Sequence, residues 1–269
     1  MEENLPKLTQ DNYYEPEVRN KYMTIHTYMQ YAGTLGKPGC EAKAEAIRKG
    51  EWVEEKTKAM LVGSYVDAFF DNSLNQFKED NPEIFTKQGE LKADYRLANT
   101  MIERCVKDEL FMKYMSGEKQ VIMTADMFDT TWCCKLDSYI PDVAIVDLKT
   151  TADLHRSWRV QDAGYVSVVE FFGYHLQLAA YQEIVRINTG KKLPCYLAFV
   201  TKEQSPEVCV VYLDQNMLDH ALNEIRMNMP QINAIRRGEM KPIMCGCCDF
   251  CKATKKLEKV ISVYDLISE

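Results

Sequence analysis

Asp137, Asp147 and Lys149 lie within residues 132–151, a stretch that otherwise has mainly the pattern of two apolar β-strands. A Pro-Asp pair divides the stretch, which favours a β-hairpin. Asp147 and Lys149 are two residues apart, so their side chains project from the same face of the second strand. A hairpin loop with an odd number of residues would place Asp137 opposite Asp147. Because charges are costly in an apolar sheet, the trio indicates catalysis or a bound cation.

Two carboxylates and an amine are suited to hydrolysing a phosphodiester bond. Mg²⁺ prefers one or two carboxylates plus waters and phosphate oxygens, and such an ion can both neutralise phosphate and activate water. We expect Asp137 and Asp147 to bind Mg²⁺ or Mn²⁺, with the backbone carbonyl of Leu148 as a further ligand. Lys149 would orient or deprotonate the attacking water, or stabilise developing charge. An ion pair on an edge strand is the alternative explanation of Asp147 and Lys149.

Predicted helices carry three further polar candidates. Asp67 follows a glycine by four residues on a helix predicted over residues 52–70, and it could complete the metal ligands. Gln177 and Tyr181 share one face of a helix predicted over residues 165–188, from which they would position water or phosphate. Taken singly, Asp67 and Gln177 are also explained as exposed helix positions.

A second group of candidate ligands consists of cysteines. Cys245, Cys248 and Cys251 have the C-x-x-C-x-x-C spacing of a thiolate metal site. A [4Fe-4S] cluster would need a fourth ligand, for which Cys40 is the candidate. A zinc ion held by the tail cysteines, Cys247 included, and plain reduced thiols are the alternatives. The other five cysteines fall in helix or strand patterns and are predicted to be core residues.

Composition sets the class of protein. The chain has 269 residues, of which 46% are hydrophobic, and a net charge of −7. The acidic N-terminal region has no apolar segment typical of a signal peptide, and no apolar run is long enough for a membrane span. We therefore expect a cytoplasmic protein in which the ten cysteines are thiols or metal ligands rather than disulfides. The net charge argues against a general nucleic-acid binder, although residues 236–259 are locally basic.

The order of the predicted helices and strands that position these residues indicates an α/β (α+β) fold, with a central mixed sheet flanked by helices. A three-stranded antiparallel meander is predicted over 119–128, 132–140 and 143–150, and two more strands over 193–201 and 208–213. Residues 1–20 are predicted to be a flexible arm, and residues 240–269 a Cys-rich C-terminal segment. The other predicted helices are 22–32, one from residue 41, one around 97–114, one over 217–237 that kinks or restarts at Pro230, and a last one near 254–267.

In order along the chain, these motifs resemble those of the PD-(D/E)xK nuclease superfamily, in particular its RecB-like and RecE-like phage exonuclease branch. LVGSYVDAFF resembles the first motif, KLDSYIP the second, VAIVDLKTT the third and YHLQLAAYQ the fourth. The resemblance spans about residues 52–213 and implies a restriction-endonuclease-like core with helical additions at both ends, so that residues 21–269 form a single nuclease domain.

The resemblance also implies roles for individual residues. Asp137 and Asp147 would be metal ligands, Lys149 the catalytic lysine, and Gln177 with Tyr181 the fourth-motif pair. The sequence departs from the pattern at Asp67, where RecB-like enzymes usually have histidine. It also departs before Asp137, where a leucine replaces the proline of the superfamily name.

The implied function is a metal-dependent exonuclease acting on double-stranded DNA ends in phage-type recombination, inside a bacterial host cell. Homo-oligomerisation around DNA and a single-strand annealing protein as partner would follow. Some RecB-like nucleases place one cysteine before the first motif and three after the last strand, as Cys40 and the tail cysteines do here. The alternatives are an iron–sulfur-containing end-processing nuclease of repair or CRISPR adaptation, and a DNA-binding protein without catalysis.

Overall fold

The N-terminal part of the chain is mainly helical. A computed structural model describes residues 5–257 and 260–266. Its first elements are α1 (Pro16–Arg19), α2 (Ile25–Ala32), β1 (Gly33–Thr34), β2 (Lys37–Pro38), α3 (Glu41–Arg48), α4 (Lys58–Phe70), α5 (Leu74–Asp80), a 3₁₀ turn (Pro82–Ile84), α6 (Ala93–Val106) and α7 (Glu109–Tyr114).

Strands and longer helices follow. They are β3 (Val121–Met127), β4 (Thr130–Leu136), β5 (Ser138–Ile140), β6 (Ala144–Thr151), β7 (Trp158–Val160), β8 (Gly164–Val166), α8 (Val168–Phe171), α9 (Tyr174–Thr189), β9 (Cys195–Thr201), β10 (Val208–Tyr212), α10 (Gln215–Arg236), α11 (Asp249–Thr254) and a 3₁₀ turn (Val263–Leu266).

The central mixed sheet that the sequence predicts has four strands, in the order β10-β9-β6-β5. β6 pairs in parallel with β9 and antiparallel with β5, and β9 pairs antiparallel with β10. Side chains alternate across β6. Ile145 joins a core formed with α2, α9 and α10, whereas Val146 and Leu148 join a second core formed with α4 and α6. The sheet is therefore covered by helices on both faces, which explains its nearly continuous apolar strands.

The predicted meander is interrupted in its middle strand. β4 pairs with β3 as a separate two-stranded ladder, and β5 pairs with β6. The break falls at Asp137, between β4 and β5. A single bridge between Glu118 and Tyr139 links the two parts.

Several predicted helix bounds differ from those observed. The helix predicted over 52–70 begins at Lys58, where the side chain of Thr57 accepts a hydrogen bond from the backbone of Met60 and caps it. The helix predicted over 217–237 runs through Pro230 without restarting. In place of the predicted last helix over 254–267, α11 ends at Thr254 and a 3₁₀ turn occupies 263–266. The rest of that prediction falls partly on residues 258–259 and 267, which lie outside the described residues.

The helix predicted over 165–188 is divided. Tyr165 belongs to β8, and α9 begins only after Gly173, which adopts a left-handed conformation (φ 72°). A side chain at this position would also lie 2.7 Å from Cγ2 of Thr34. The end of α9 is at Gly190, the predicted stop signal.

Residues 5–20 pack against the β3–β4 ladder in this structure. The side chain of Tyr13 is buried and contacts Tyr22 and Cys133. The hydroxyl of Tyr22 donates a hydrogen bond to the carbonyl of Pro6 (2.6 Å). The remainder of the predicted arm, residues 1–4, lies outside the described residues.

Among the described residues, no helix combines the length and the apolar composition needed to cross a membrane.

Candidate active site

The turn between β5 and β6 fixes the register of the two aspartates. Ile140 pairs with Ala144, so the loop is 141–143, and Asp142 in it takes a left-handed conformation (φ 62°). Ser138 pairs with Val146, which places Asp137 opposite Asp147 as predicted for an odd loop. The backbone N–H of Leu148 donates to Oδ2 of Asp137 (2.9 Å).

Asp147 is the centre of a buried polar network. Its Oδ1 accepts a hydrogen bond from Nε2 of Gln177 (2.8 Å), and the same amide group donates to the hydroxyl of Tyr181 (3.0 Å). Its Oδ2 forms a close ion pair with the ammonium of Lys149. The side chain of Asp147 is 3% exposed and that of Lys149 is 16% exposed. The structure thus brings together four of the residues that the sequence singles out, one pair from β6 and one from α9.

Asp67 lies on the other side of the same site. It is half-buried on α4, and it lines a small cleft with Asp137 and Leu148. Gly63 favours the close approach of α4 to β6, because a Cβ there would make a tight contact of 3.1 Å with Oγ1 of Thr150. The site therefore combines carboxylates from helix α4, from strand β6 and from the break between β4 and β5.

Burial and the repulsion of neighbouring carboxylates raise the pKa values of Asp67 and Asp137. Burial, reinforced by the charge of Asp147, raises the pKa of Asp137 to about 7. Burial and the charge of Asp137 raise the pKa of Asp67 well above its usual range. Burial alone would lower the pKa of Lys149, but Asp147 and Asp137 outweigh it and raise that pKa above its ordinary value. The amine is therefore held in its charged form.

The donors at this site fit a hard divalent cation. Oδ2 of Asp147 is buried, and although it contacts the Lys149 ammonium it has no well-aligned hydrogen bond within the described residues. Asp67 and Asp137 add two carboxyl groups whose negative charges repel each other, and a bound cation would relieve this repulsion. Oxygen ligands of this kind are those preferred by Mg²⁺ and Mn²⁺.

The four predicted thiols also come together. The sulfur atoms of Cys40, Cys245, Cys248 and Cys251 all lie within 4.8 Å of one another. Sγ of Cys251 is 3.5 Å from Sγ of Cys40 and 3.8 Å from Sγ of Cys245. Hydrogen bonds from the backbone of Cys247 and Cys248 lower the pKa of Cys245 to about 6, which favours the thiolate form that binds metals. Cys247 itself is exposed and is not part of this set.

A zinc ion fits this arrangement of sulfur atoms. Zn–S bonds of about 2.3 Å in a tetrahedron separate the sulfurs by roughly 3.8 Å, close to the shorter distances here. A four-iron cluster would hold the sulfurs farther apart, because each would bind a different iron. Both groups use an all-thiolate donor set, so the chemistry of the four residues fits either one.

Comparison with known proteins gives a family. A family model described as "PDDEXK-like domain of unknown function" (DUF3799) matches residues 27–254. This chain belongs to that family. The assignment confirms the resemblance to the PD-(D/E)xK nuclease superfamily and the α/β fold predicted from the sequence.

Solved structures include a close relative of this PDDEXK-like domain. The crystal structure of a "putative exonuclease" from Eubacterium rectale is 49% identical, with a TM-score of 0.94, and the match covers 97% of this chain and 98% of that one. The structure of SSO0001 is 11% identical, and the match covers 81% of this chain and 95% of that one. Its TM-score of 0.30 is too low to indicate a shared fold. No curated protein matches this chain.

Polar residues that the sequence did not predict also lie at the site. Asp71 and Gln120 line the cleft with Asp67. The ring of Tyr174 lies 5.0 Å from the ammonium of Lys149, a cation–π contact. Two signals were present in the sequence, since Asp71 follows Asp67 by one helical turn and Tyr174 shares a helix face with Gln177. The sequence gave no such signal for Gln120, which lies just before β3 and shares no helix or strand with the other residues of the cleft.

Proposed function

We propose that this PDDEXK-like domain is a divalent-metal-dependent deoxyribonuclease that hydrolyses phosphodiester bonds at double-stranded DNA ends. The observation that carries the proposal is the convergence of Asp137, Asp147 and Lys149 in one partly buried site. The name of the 49% identical relative, an exonuclease, supports it. An intact set of two acids and an amine argues against a DNA-binding protein without catalysis, because burying these charges has a cost that only their use explains.

Each residue of the site has a separate role in the proposed hydrolysis. Asp137 and Asp147, with Asp67 and the backbone carbonyl of Leu148, would hold Mg²⁺ or Mn²⁺. When bound, such an ion polarises the phosphate and lowers the pKa of a water molecule. Lys149 is held protonated by its two acidic neighbours, which favours stabilisation of the developing negative charge over proton abstraction. Gln177 and Tyr181 fix the orientation of Asp147.

Digestion of linear duplex DNA, labelled separately at each end, tests the proposal. We expect cleavage with Mg²⁺ or Mn²⁺ and none with EDTA. Lys149→Ala should reduce the rate by at least about 100-fold, the effect of losing one electrostatic contact to the transition state. Folding and DNA binding should be retained.

Lys191→Ala is the matched control for this variant. Lys191 is an exposed lysine that pairs with Asp142 in the β5–β6 loop (2.8 Å), so its removal should leave cleavage unchanged. Full activity of Lys149→Ala, or equal activity in EDTA, would refute the assignment.

A second candidate is an iron–sulfur-containing end-processing nuclease, which the gathering of four thiols favours. It shares the hydrolytic site and differs in the metal held by Cys40 and the tail cysteines. Phage-type recombination, a homo-oligomer around DNA and a single-strand annealing partner remain predictions from the resemblance.

A further inference from the structure

An unbroken series of aromatic rings runs from an exposed arginine to Lys149. The guanidinium of Arg156 lies 5.3 Å from the ring of Trp158, and Trp158 stacks on Phe171 at 4.8 Å with an interplanar angle of 20°. Phe172 stacks on Tyr174 at 5.7 Å with an angle of 23°. We call Trp158, Phe171, Phe172 and Tyr174 the aromatic row.

The two stacked pairs are joined edge to face. Phe171 and Phe172 have ring centroids 5.1 Å apart and an interplanar angle of 85°. Tyr174 then contacts the Lys149 ammonium at 5.0 Å. The aromatic row thus ends at the amine that we place at the scissile phosphate.

The row is not a buried core. Phe172 is 44% exposed, and Trp158 and Tyr174 are half-buried. Phe171 is held from behind by the β1–β2 hairpin, since its carbonyl accepts hydrogen bonds from the backbone of Gly36 (3.0 Å) and the hydroxyl of Thr34 (3.0 Å). The backbone next to the exposed ring of Phe172 is therefore anchored to the hairpin, which suits a ring on which a ligand stacks.

A cavity of about 460 Å³ lies beside the row. Phe171 and Phe172 line one part of it, and Lys37 and Lys43 line another together with Glu54. Glu54 pairs with both lysines, and Cys40 and Cys248 line the same cavity. Its volume is within the range of ligand sites and admits a nucleoside-sized group.

We infer that the aromatic row is a base-stacking platform for an unpaired DNA strand, which it guides from Arg156 to Lys149. Rings stack on any base, and basic groups attract the phosphates without reading sequence. A duplex cannot use the platform, because its bases are already stacked and paired. This inference rests on the proposed nuclease function and narrows its substrate to ends that carry, or fray into, a single-stranded tail.

Binding in EDTA tests the platform without cleavage. The probe is a fluorescent oligothymidine tail of about 10 nucleotides on a duplex, compared with the same duplex with a blunt end and with a tail of abasic residues. We expect the thymidine tail to bind more tightly than either. Phe172→Leu, which keeps apolar bulk but removes the ring, should weaken binding of the thymidine tail at least about fivefold.

The abasic tail separates stacking from charge. It keeps the phosphates and lacks the bases, so Phe172→Leu should not weaken its binding further. Phe172→Trp restores a stacking face and should bind the thymidine tail at least as tightly as the wild-type protein. Tyr212→Leu is the matched control, because Tyr212 is 54% exposed on β10 and outside the row.

Tryptophan fluorescence gives an independent readout. Trp158 is half-buried in the row, whereas Trp132 is fully buried in the core and the half-buried Trp52 packs against Phe250, outside the row. Thymidine tails should quench the fluorescence of the wild-type protein, and Trp158→Phe should abolish most of this quenching. Persistence of the quenching in that variant would contradict the inference.

The inference and the proposed function fail differently. If Phe172→Leu binds the thymidine tail like the wild type, or loses the same factor on the abasic tail, the platform is refuted even if the protein digests DNA. If binding depends on Phe172 but no digestion occurs with Mg²⁺ or Mn²⁺, the nuclease assignment falls and the platform stands.

Discussion

Gln177 links the acidic site to the helix behind it. Its amide donates to Oδ1 of Asp147 and to the hydroxyl of Tyr181, so one side chain satisfies two buried oxygens. Gln177→Leu would leave Oδ1 of Asp147 buried without a partner and free to reorient. We expect the affinity for Mn²⁺, measured by calorimetric titration, to fall roughly 10- to 100-fold, as for other groups that orient metal ligands.

Gln182→Leu is a control on the same helix. Gln182 is also buried, but it donates to the carbonyl of Leu193 (2.7 Å) and to Oε1 of Gln215 (3.0 Å), away from the acidic residues. Its loss should reduce the free energy of unfolding by about 1–3 kcal/mol and leave Mn²⁺ affinity intact. Equal affinities in the two variants would contradict the role given to Gln177.

The raised pKa of Asp137 predicts how the stability of the metal-free protein depends on pH. This pKa is about 7 in the folded protein against an ordinary value of 3.8, so the folded state binds more protons between these two values. The contribution of Asp137 to the free energy of unfolding therefore falls as the pH rises from about 4 to about 7. Urea denaturation in EDTA should show that Asp137→Asn, which cannot ionise, weakens this fall.

Metal binding should show the opposite trend with pH. A protonated carboxyl group cannot bind Mn²⁺, so the wild-type affinity should rise from pH 6 to pH 8 as Asp137 loses its proton. A wild-type affinity that is constant over this range would contradict the assignment of Asp137 as a ligand.

At the scale of the elements, the start of α9 determines the positions of Gln177 and Tyr181. Gly173 has φ 72°, and an added Cβ would lie 2.7 Å from Cγ2 of Thr34. Gly173→Ala should lower the free energy of unfolding by about 1–2 kcal/mol for the left-handed backbone and a further 1–3 kcal/mol or so for overpacking. DNA cleavage should fall as well, because α9 carries Gln177 and Tyr174.

The other end of α9 provides the comparison. Gly190 has φ 74° but no atom within 4 Å of an added Cβ, so Gly190→Ala should show only the backbone part of the cost. Thr34→Ser removes Cγ2 and keeps the hydroxyl, and it should recover part of the stability that Gly173→Ala loses. Equal losses for the two glycine variants in urea denaturation would contradict the packing argument.

The sequence was most informative where one periodicity decided the outcome. Strand alternation and an odd loop were enough to place Asp137, Asp147 and Lys149 together, and the spacing of Gln177 and Tyr181 placed them on one helix face. These relations are local, and tertiary packing did not change them.

Tertiary packing decided what the sequence could not show. The strand breaks at Asp137, whose carboxylate accepts the backbone N–H of Leu148. At Gly173, where the helix divides, an added Cβ would lie 2.7 Å from Cγ2 of Thr34, a residue far away along the chain. The stacking of Phe172 on Tyr174 follows from that division, so the aromatic row was not visible as a pattern.

At the scale of the whole molecule, the group of four cysteines connects the N-terminal helices to the C-terminal segment. Cys40 precedes α3 and Cys251 lies in α11, and contacts without metal reinforce the connection. The backbone N–H of Ala42 donates to the carbonyl of Ile243 (3.1 Å), and the rings of Trp52 and Phe250 meet edge to face at 5.5 Å.

We expect the connection to be completed by a metal that the four thiolates bind. Cys251→Ser should abolish metal content and lower the thermal midpoint, because a ligand that binds only the folded state stabilises it. Cys247→Ser changes a cysteine of the same loop that lies outside the group of four, so metal content and midpoint should stay at their wild-type values.

The colour of anaerobically purified protein separates the two metals. Thiolate-bound iron gives an absorption band at about 400 nm. A colourless protein with one equivalent of zinc would instead identify a ZnS₄ site. Because the β1–β2 hairpin joins Cys40 to the support of Phe171, loss of either metal should also weaken the binding of thymidine tails. Unchanged metal content in Cys251→Ser would remove the basis for a metal in the group of four.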